Sequence, residues 1–151
     1  MRSIRLLVAI ILIFLPAISF GGERFDGNWQ TKMTCPPKGN TEGYTWQFPA
    51  VVQNNNFHGE HGTGGQPGYL LIEGAIADNG NAKLTANGIV ASRDYAKGVF
   101  AHQGESYSYD IKAQFAETTG TGARNTGLGV VGRPCTFEFT KQPPSGPVAG
   151  H

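Results

Sequence analysis

The sequence predicts a small all-β domain, an antiparallel barrel of seven or eight strands closed by one disulfide. Three observations favour it: alternating apolar and polar runs recur along the chain, Gly- and Asn-rich segments separate them, and two cysteines lie on the first and last runs. Alternation with a period of two is typical of strands, because successive side chains of a strand point to opposite faces. A two-sheet sandwich stapled between its sheets is the alternative.

The first two runs show this alternation clearly. Trp29, Met33 and Cys35 fall on one face of the first run, and Tyr44 and Phe48 begin and end the second. The proline that follows, Pro49, is expected to bend or interrupt the second strand, because proline cannot donate a hydrogen bond to a neighbouring strand.

The middle of the chain predicts a series of short hairpins. In order, the pattern predicts a turn at 54–56, a short strand around Phe57, a glycine-rich loop over 62–68, an apolar strand over 69–77, a turn at 78–81 and a partner strand over 83–91. The turn at 78–81 reads Asp-Asn-Gly-Asn, and Asn and Gly tolerate the positive φ angles of tight hairpin turns.

The last third contains the clearest strand. The polar stretch 92–104 is predicted to be the longest loop, and residues 106–115 then alternate aromatic or apolar residues with polar ones without a break. A Gly/Thr turn is expected at 118–122, followed by a final strand that includes Cys135, Phe137 and Phe139 on one face. The tail 142–151, rich in Pro and Gly, is expected to be disordered.

The N-terminal segment predicts an exported protein. Arg2 and Arg5 precede an unbroken apolar run from Leu6 to Leu15, and small residues follow near Ser19, which is the pattern of a secretory signal peptide over residues 1–19. The apolar run is about half the roughly 20 residues that a membrane-spanning helix needs. We therefore expect a leader at 1–19, a single β domain over 24–141, a periplasmic or secreted location and no membrane span in the mature chain.

Charge argues against a nucleic-acid partner. Removing the leader takes away two arginines and no acid, which leaves ten Lys and Arg against eleven Asp and Glu. The basic residues are scattered singly, whereas nucleic-acid binders usually carry a concentrated basic surface.

Export also bears on the cysteines. In an oxidising compartment two cysteines normally pair, so we predict a disulfide between Cys35 and Cys135. Each cysteine shares a face with the large apolar residues of its own strand. If the first and last strands are neighbours, the disulfide lies across the seam that closes the sheet on itself.

Motifs for catalysis or metal binding are sparse. His58-Gly59-Glu60-His61 contains zinc-type ligands, but on a strand His58 and Glu60 share one face and His61 lies opposite. A third ligand would have to come from His102 or Asp94. His58 and Glu60 therefore stay candidates for a metal site or, as a third functional class, for a metal-dependent enzyme, and no cofactor is predicted.

Aromatic residues are the better candidates for binding. Their rings can line an apolar cavity or stack on a sugar at the mouth of a small barrel, although Trp29, Trp46, Phe137 and Phe139 could equally fill its core. The candidate ligand-binding residues are Tyr44, Trp46, Tyr69, Arg93, Tyr95 and Tyr107.

Several motifs carry a resemblance to known proteins. They include Phe25-Asp26-Gly27-Asn28-Trp29, Thr34-Cys35-Pro36-Pro37, Tyr107-Ser108-Tyr109 and Gly132-Arg133-Pro134-Cys135. Together they resemble a group of small exported Gram-negative bacterial proteins, and this resemblance implies export and a single domain but transfers no activity. The Gly27-x-Trp29 pattern with the hairpin spacing is similar to lipocalin- and avidin-type ligand-binding barrels, whose ligand residues cannot be matched to positions here.

The leading functional hypothesis is a non-catalytic barrel that binds a small apolar or aromatic molecule, or a sugar, at one mouth. The alternative is an envelope protein-interaction module, such as a protease inhibitor, acting through the loops at 62–68 and 92–104. The predicted partner is thus a small molecule or an envelope protein.

Overall fold

The computed structural model describes residues 24–94, 102–125 and 132–144, which form eight β-strands and no helix. The strands are β1 (Gly27–Cys35), β2 (Tyr44–Gln53), β3 (Asn56–His61), β4 (Leu70–Ala75), β5 (Asn81–Ile89), β6 (Ser106–Phe115), β7 (Thr119–Arg124) and β8 (Thr136–Lys141). Each strand pairs antiparallel with the next, and β8 pairs with β1 to close a barrel. The predicted all-β barrel is confirmed with eight strands, and the sandwich alternative is wrong.

The seam between the first and last strands carries the disulfide. Thr34 lies opposite Thr136 in the β1–β8 register, so Cys35 and Cys135 come next to each other, with their Cα atoms 4.2 Å apart. The predicted Cys35–Cys135 pairing across the seam is confirmed. In the chain-entropy model, a link closing a loop of 100 residues stabilises the fold by about 4.7 kcal/mol.

Pro49 does not interrupt β2, contrary to expectation. It lies opposite Gln30 of β1, whereas the pairing of β2 with β3 begins only at Ala50, opposite Gly59. Pro49 therefore pairs with β1 alone, and the missing N–H costs no hydrogen bond to β3.

The predicted Gly/Thr turn at 118–122 is also wrong in its extent. Residues from Thr119 onward form β7, and the turn is limited to 116–118. Gly120 and Gly122 face the interior: a Cβ at Gly120 would lie 2.9 Å from the Phe115 ring, and one at Gly122 would lie 3.1 Å from a methyl of Ile111. Glycine occupies these positions because neighbouring large side chains fill the space.

The two ends of the barrel differ in their connections. At one end, called the turn end, the segments 54–55, 76–80 and 116–118 join the strands. At the other, called the loop end, the longer segments 36–43, 62–69, 90–105 and 125–135 do so. Asn54 and Asn55 both have positive φ, of 50° and 58°, as a two-residue hairpin requires.

The turn end holds the densest part of the core. Phe115 contacts the rings of Phe25, Trp29, Phe57 and Phe139 at centroid distances of 6.4, 5.5, 5.8 and 4.8 Å. All five side chains are at most 2% exposed, and the Trp29 indole N–H donates to the Phe25 carbonyl at 2.9 Å. Aromatic side chains thus pack against one another, shielded from solvent, at this end of the barrel.

Several predictions concern segments outside the described residues. These are the leader at 1–19, Tyr95 and the tail from 145 onward. The start of the predicted tail is described, and Gln142 donates its backbone N–H to the Asn28 carbonyl at 2.7 Å, which continues the β1–β8 seam. Within the described residues, no helix has the length and apolar character to cross a membrane.

Candidate ligand site at the loop end of the barrel

Four aromatic side chains point inward at the loop end because of strand register. In the β1–β2 pair, Tyr44 lies opposite Cys35 and Trp46 opposite Met33, both buried inward-facing residues. In the β5–β6 pair, Tyr107 lies opposite Gly88 and Tyr109 opposite Ala86. The four rings therefore line the inner wall near the point where the strands end.

Two of these rings form a stack with a histidine. The Tyr44 and Trp46 ring centroids are 4.9 Å apart, and the Trp46 ring stacks on the His61 imidazole at 4.1 Å with an interplanar angle of 5°. His61 Nδ1 lies 3.0 Å from the Gly68 carbonyl oxygen, which anchors the imidazole to the β3–β4 connection. Trp46 and His61 are thus held as one flat surface.

The other two rings, of Tyr107 and Tyr109, are nearly parallel at 3° with centroids 6.0 Å apart. A Cβ at Gly88 would lie 2.4 Å from the Tyr107 hydroxyl oxygen, so glycine at this position is what admits the phenol. The Tyr109 hydroxyl contacts the Met33 sulfur at 3.7 Å. Small residues on β5 thus make room for large ones on β6.

Two arginines complete this group of inward-facing residues. Arg124 at the end of β7 lies with its guanidinium carbon 4.1 Å from the centre of the Tyr109 ring. Arg133, just before Cys135, is only 4% exposed and lies over the Tyr44 ring at 5.4 Å. The loop-end cluster, as we call it from here, consists of Tyr44, Trp46, His61, Tyr107, Tyr109, Arg124 and Arg133.

Exposure separates this cluster from the core below it. All its members except Arg133 are half-buried, although their side chains face the barrel interior, whereas inward-facing residues near the turn end are almost fully buried. Inward-facing aromatic rings that solvent can reach are typical of the mouth of a ligand-binding barrel.

Hydrogen bonds tie three of the loop-end connections together around the cluster. An Arg133 guanidinium nitrogen donates to the Glu42 carbonyl, and the Glu42 N–H donates to the Asp94 carbonyl at 3.1 Å. Lys38 Nζ donates to the Gly132 carbonyl at 2.9 Å. The β1–β2 connection is therefore bonded to both the β5–β6 connection and the β7–β8 connection.

The tyrosines of the cluster are neutral at physiological pH. Burial raises the pKa of Tyr44, and the charges of Arg133 and Arg124 oppose that rise. Burial also raises the pKa of Tyr107 and Tyr109 far above the ordinary value of about 10. Their hydroxyls therefore stay protonated and can donate as well as accept hydrogen bonds.

The structure brings only some of the predicted residues together. Tyr44, Trp46 and Tyr107 lie in the loop-end cluster. Tyr69 instead lies on the outer surface, where its hydroxyl donates to Glu60 Oε1 at 2.9 Å. Arg93 is exposed on the β5–β6 connection, with Nη2 2.9 Å from His102 Nδ1.

The candidate ligand-binding residues predicted from the sequence did not include His61, Tyr109, Arg124 and Arg133. Tyr109 shares the parity of Tyr107 on the same strand, so that signal was present in the sequence. The arginines stand in Gly- and Pro-rich segments whose composition indicates turns, and a charged residue is rarely buried. Nothing local to the sequence marks their burial.

The metal candidates His58 and Glu60 lie on the outer face of β3, and His61 lies on the opposite face, as the strand alternation predicted. His58 Nδ1 is 2.9 Å from Glu73 Oε1, and His58 Nε2 is 3.5 Å from Glu60 Oε1. All three side chains are about half exposed. Among the described residues, no three His, Cys, Asp or Glu side chains are grouped to hold a metal ion, so neither His102 nor Asp94 joins His58 and Glu60.

The fold and cluster together define a disulfide-closed, eight-stranded antiparallel barrel with an aromatic and cationic inner wall at one end. Comparisons with protein-family models, with curated proteins and with solved structures found no match to this chain.

Proposed function

We propose that this chain is an exported, non-catalytic binding protein that holds a small molecule at the loop end of its barrel. The predicted leader supports export, and the Cys35–Cys135 disulfide is consistent with an oxidising compartment. Its candidate ligands are small molecules with an apolar or aromatic body, or sugars, since both stack on aromatic rings.

One observation carries the binding proposal: the inward-facing rings at the loop end are only half-buried, whereas those at the turn end are at most 2% exposed. Trp46 and Tyr107 are therefore inward-facing rings that stay partly exposed in the described part of the chain. Flat, rigid, partly desolvated rings supply contact area at a low cost in side-chain entropy, as binding sites for small molecules require.

The first test is a native mass spectrum of the protein purified from the periplasm of an expression host. A retained small-molecule adduct supports the proposal and gives the mass of the ligand. Trp46 then reports the place of binding, because the chain has only two tryptophans and the other, Trp29, is buried near the turn end. Adding back the released compound is expected to change the fluorescence of the unmodified protein but not of Trp46→Phe.

A matched pair of variants separates the loop end from the outer surface. Tyr107→Ala removes a ring of the cluster and is expected to weaken binding about 10-fold or more, in line with loss of a buried aromatic contact. Tyr69→Ala makes the same change on the outer face and is expected to leave binding unchanged.

The proposal fails if the protein carries no adduct and its melting temperature is unchanged by a panel of apolar, aromatic and sugar compounds. That result would favour the alternative function, in which the loops at 62–68 and 92–104 contact another envelope protein.

A further inference from the structure

Arg133 presents a buried positive charge whose hydrogen-bonding groups are incompletely used. One of its guanidinium nitrogens donates to the Glu42 carbonyl. Nε and Nη2 are both inaccessible to solvent and have no acceptor in the described part of the chain. Two nitrogens of the charged guanidinium are therefore left without an acceptor among the described residues.

The same holds in part for Arg124. Its Nε is buried with no acceptor among the described residues. The Arg124 N–H donates to the Cys135 carbonyl at 3.0 Å, so this residue is the strand neighbour of the segment that carries Arg133. Two guanidinium groups thus come from adjacent segments at one side of the loop-end cluster.

Neither charge is neutralised by a carboxylate. Across the described residues, the ion pairs involve Lys32, His58 and Lys83, and no Asp or Glu oxygen lies within 4 Å of either guanidinium. Arginine cannot lose its proton in a protein, so burial cannot be relieved by neutralisation. Burying an unpaired ion is unfavourable, and stacking on Tyr44 and Tyr109 offsets only part of that cost.

Packing around Arg124 holds its guanidinium in this place. A Cβ at Gly132 would lie 2.7 Å from the guanidinium carbon and 2.8 Å from Nη2. Glycine at 132 therefore lets the guanidinium lie directly against the main chain.

We infer that the small molecule bound at the loop end carries an oxyanion, a carboxylate or a phosphate, that the guanidinium groups of Arg133 and Arg124 receive. This inference rests on the function proposed above. The oxyanion accepts hydrogen bonds from Nε and Nη2 of Arg133 and from Nε of Arg124. The planar guanidinium fits the oxygens of a carboxylate or phosphate and forms strong charge-assisted hydrogen bonds with them. The Trp46 and tyrosine rings then contact the rest of the ligand.

A set of three related probes tests whether binding depends on the negative charge of the ligand. Binding of phenylacetate and phenyl phosphate is measured by calorimetry and by melting temperature, beside the neutral isostere phenylacetamide. The anions are expected to bind at least 10-fold more tightly than the amide and to raise the melting temperature, since a ligand that binds only the folded state stabilises it. Comparing phenylacetate with phenyl phosphate shows which oxyanion the site prefers.

Three variants test the residues. Arg124→Gln and Arg133→Gln are each expected to weaken anion binding about 10- to 100-fold, the loss that follows from removing a charged hydrogen bond. Arg93→Gln removes the same charge from the exposed rim and is expected to change binding less than about twofold.

If Arg133→Gln does not fold, Gly132→Ala supplies the test for the site. It keeps both charges but forces the Arg124 guanidinium to move, and it is expected to weaken the anions more than the amide.

Two outcomes overturn the inference in distinguishable ways. If phenylacetamide binds as well as phenylacetate, the site does not distinguish charge; if Arg93→Gln weakens the anions as much as Arg124→Gln does, the anions are attracted by general positive charge and not by hydrogen bonds to Arg124 and Arg133. In either case only the inference fails. If no probe binds and no adduct is retained on purification, the proposed function fails with it.

Discussion

The turn end and the loop end of this barrel are built from the same strands but are packed differently. At the turn end, Phe115 is surrounded by four aromatic rings and has no contact with solvent beyond 2% of its surface. At the loop end, inward-facing tyrosines remain half-buried, and charged Arg124 and Arg133 replace apolar side chains on the inner wall. One end is closed by fully buried rings, and the other keeps aromatic rings partly exposed beside two arginines.

The largest expected effect comes from emptying the turn end. Phe115→Ala removes the ring that joins the four others and is expected to lower the free energy of unfolding by about 3–5 kcal/mol, as is usual for a large buried aromatic residue. Tyr107→Ala at the loop end is expected to cost roughly 1–2 kcal/mol, because less of its surface is withdrawn from water. Urea unfolding of both variants measures the difference, and equal losses would show that the two ends are packed alike.

The disulfide gives the next largest effect. It lies at the loop end, where aromatic packing is thinner, so replacing both Cys35 and Cys135 by alanine is expected to cost about 2–5 kcal/mol. Amide hydrogen exchange is expected to increase more near Tyr44 and Arg124 than near Phe115. As a control, dithiothreitol should lower the urea midpoint of the unmodified protein but not that of the alanine variant. If hydrogen exchange in the alanine variant increases equally at both ends, the disulfide stabilises both ends equally.

Alkaline pH is expected to destabilise the folded protein through the buried tyrosines of the loop end. Burial raises the pKa of Tyr107 and Tyr109 in the folded chain, whereas the unfolded chain releases these protons near pH 10. Above pH 10 the folded state therefore holds more protons, and its stability falls as pH rises. Each tyrosine is expected to contribute a loss of about 1.4 kcal/mol between pH 9 and pH 11.

The matched control for this titration is the double variant Tyr107→Phe and Tyr109→Phe. It keeps the rings but removes both phenolic protons, so its stability should fall less between pH 9 and pH 11, as measured by urea unfolding. An identical fall in both proteins would place the alkaline sensitivity elsewhere.

Much of the barrel could be predicted from the sequence, because strand alternation and the parity of the cysteines are local signals. The face shared by Cys35 and Trp29 correctly placed the disulfide in the seam. Strand β7 was missed because Gly120 and Gly122 carry no side chain that could show alternation; they are glycines because Phe115 and Ile111, on another strand, fill their space. That requirement cannot be seen within the segment itself.

The candidate site was predicted only where it follows from alternation. Tyr44, Trp46 and Tyr107 face inward, as strand alternation indicates, whereas Tyr69 was included for its chemistry and lies on the outer surface. The arginines were missed because their burial depends on which segments the closed barrel brings together.

The β1–β8 seam also determines where a tag or fusion partner would be attached. Lys141 Nζ donates to the Arg24 carbonyl at 3.3 Å, and Gln142 is bonded to Asn28, so the described chain enters and leaves the barrel side by side at the turn end. A tag or fusion partner at either end of the described chain would therefore extend from the turn end, opposite the arginines, and leave the loop end accessible. The same closeness suits the barrel to circular permutation, with new ends opened in the exposed 63–66 segment between β3 and β4.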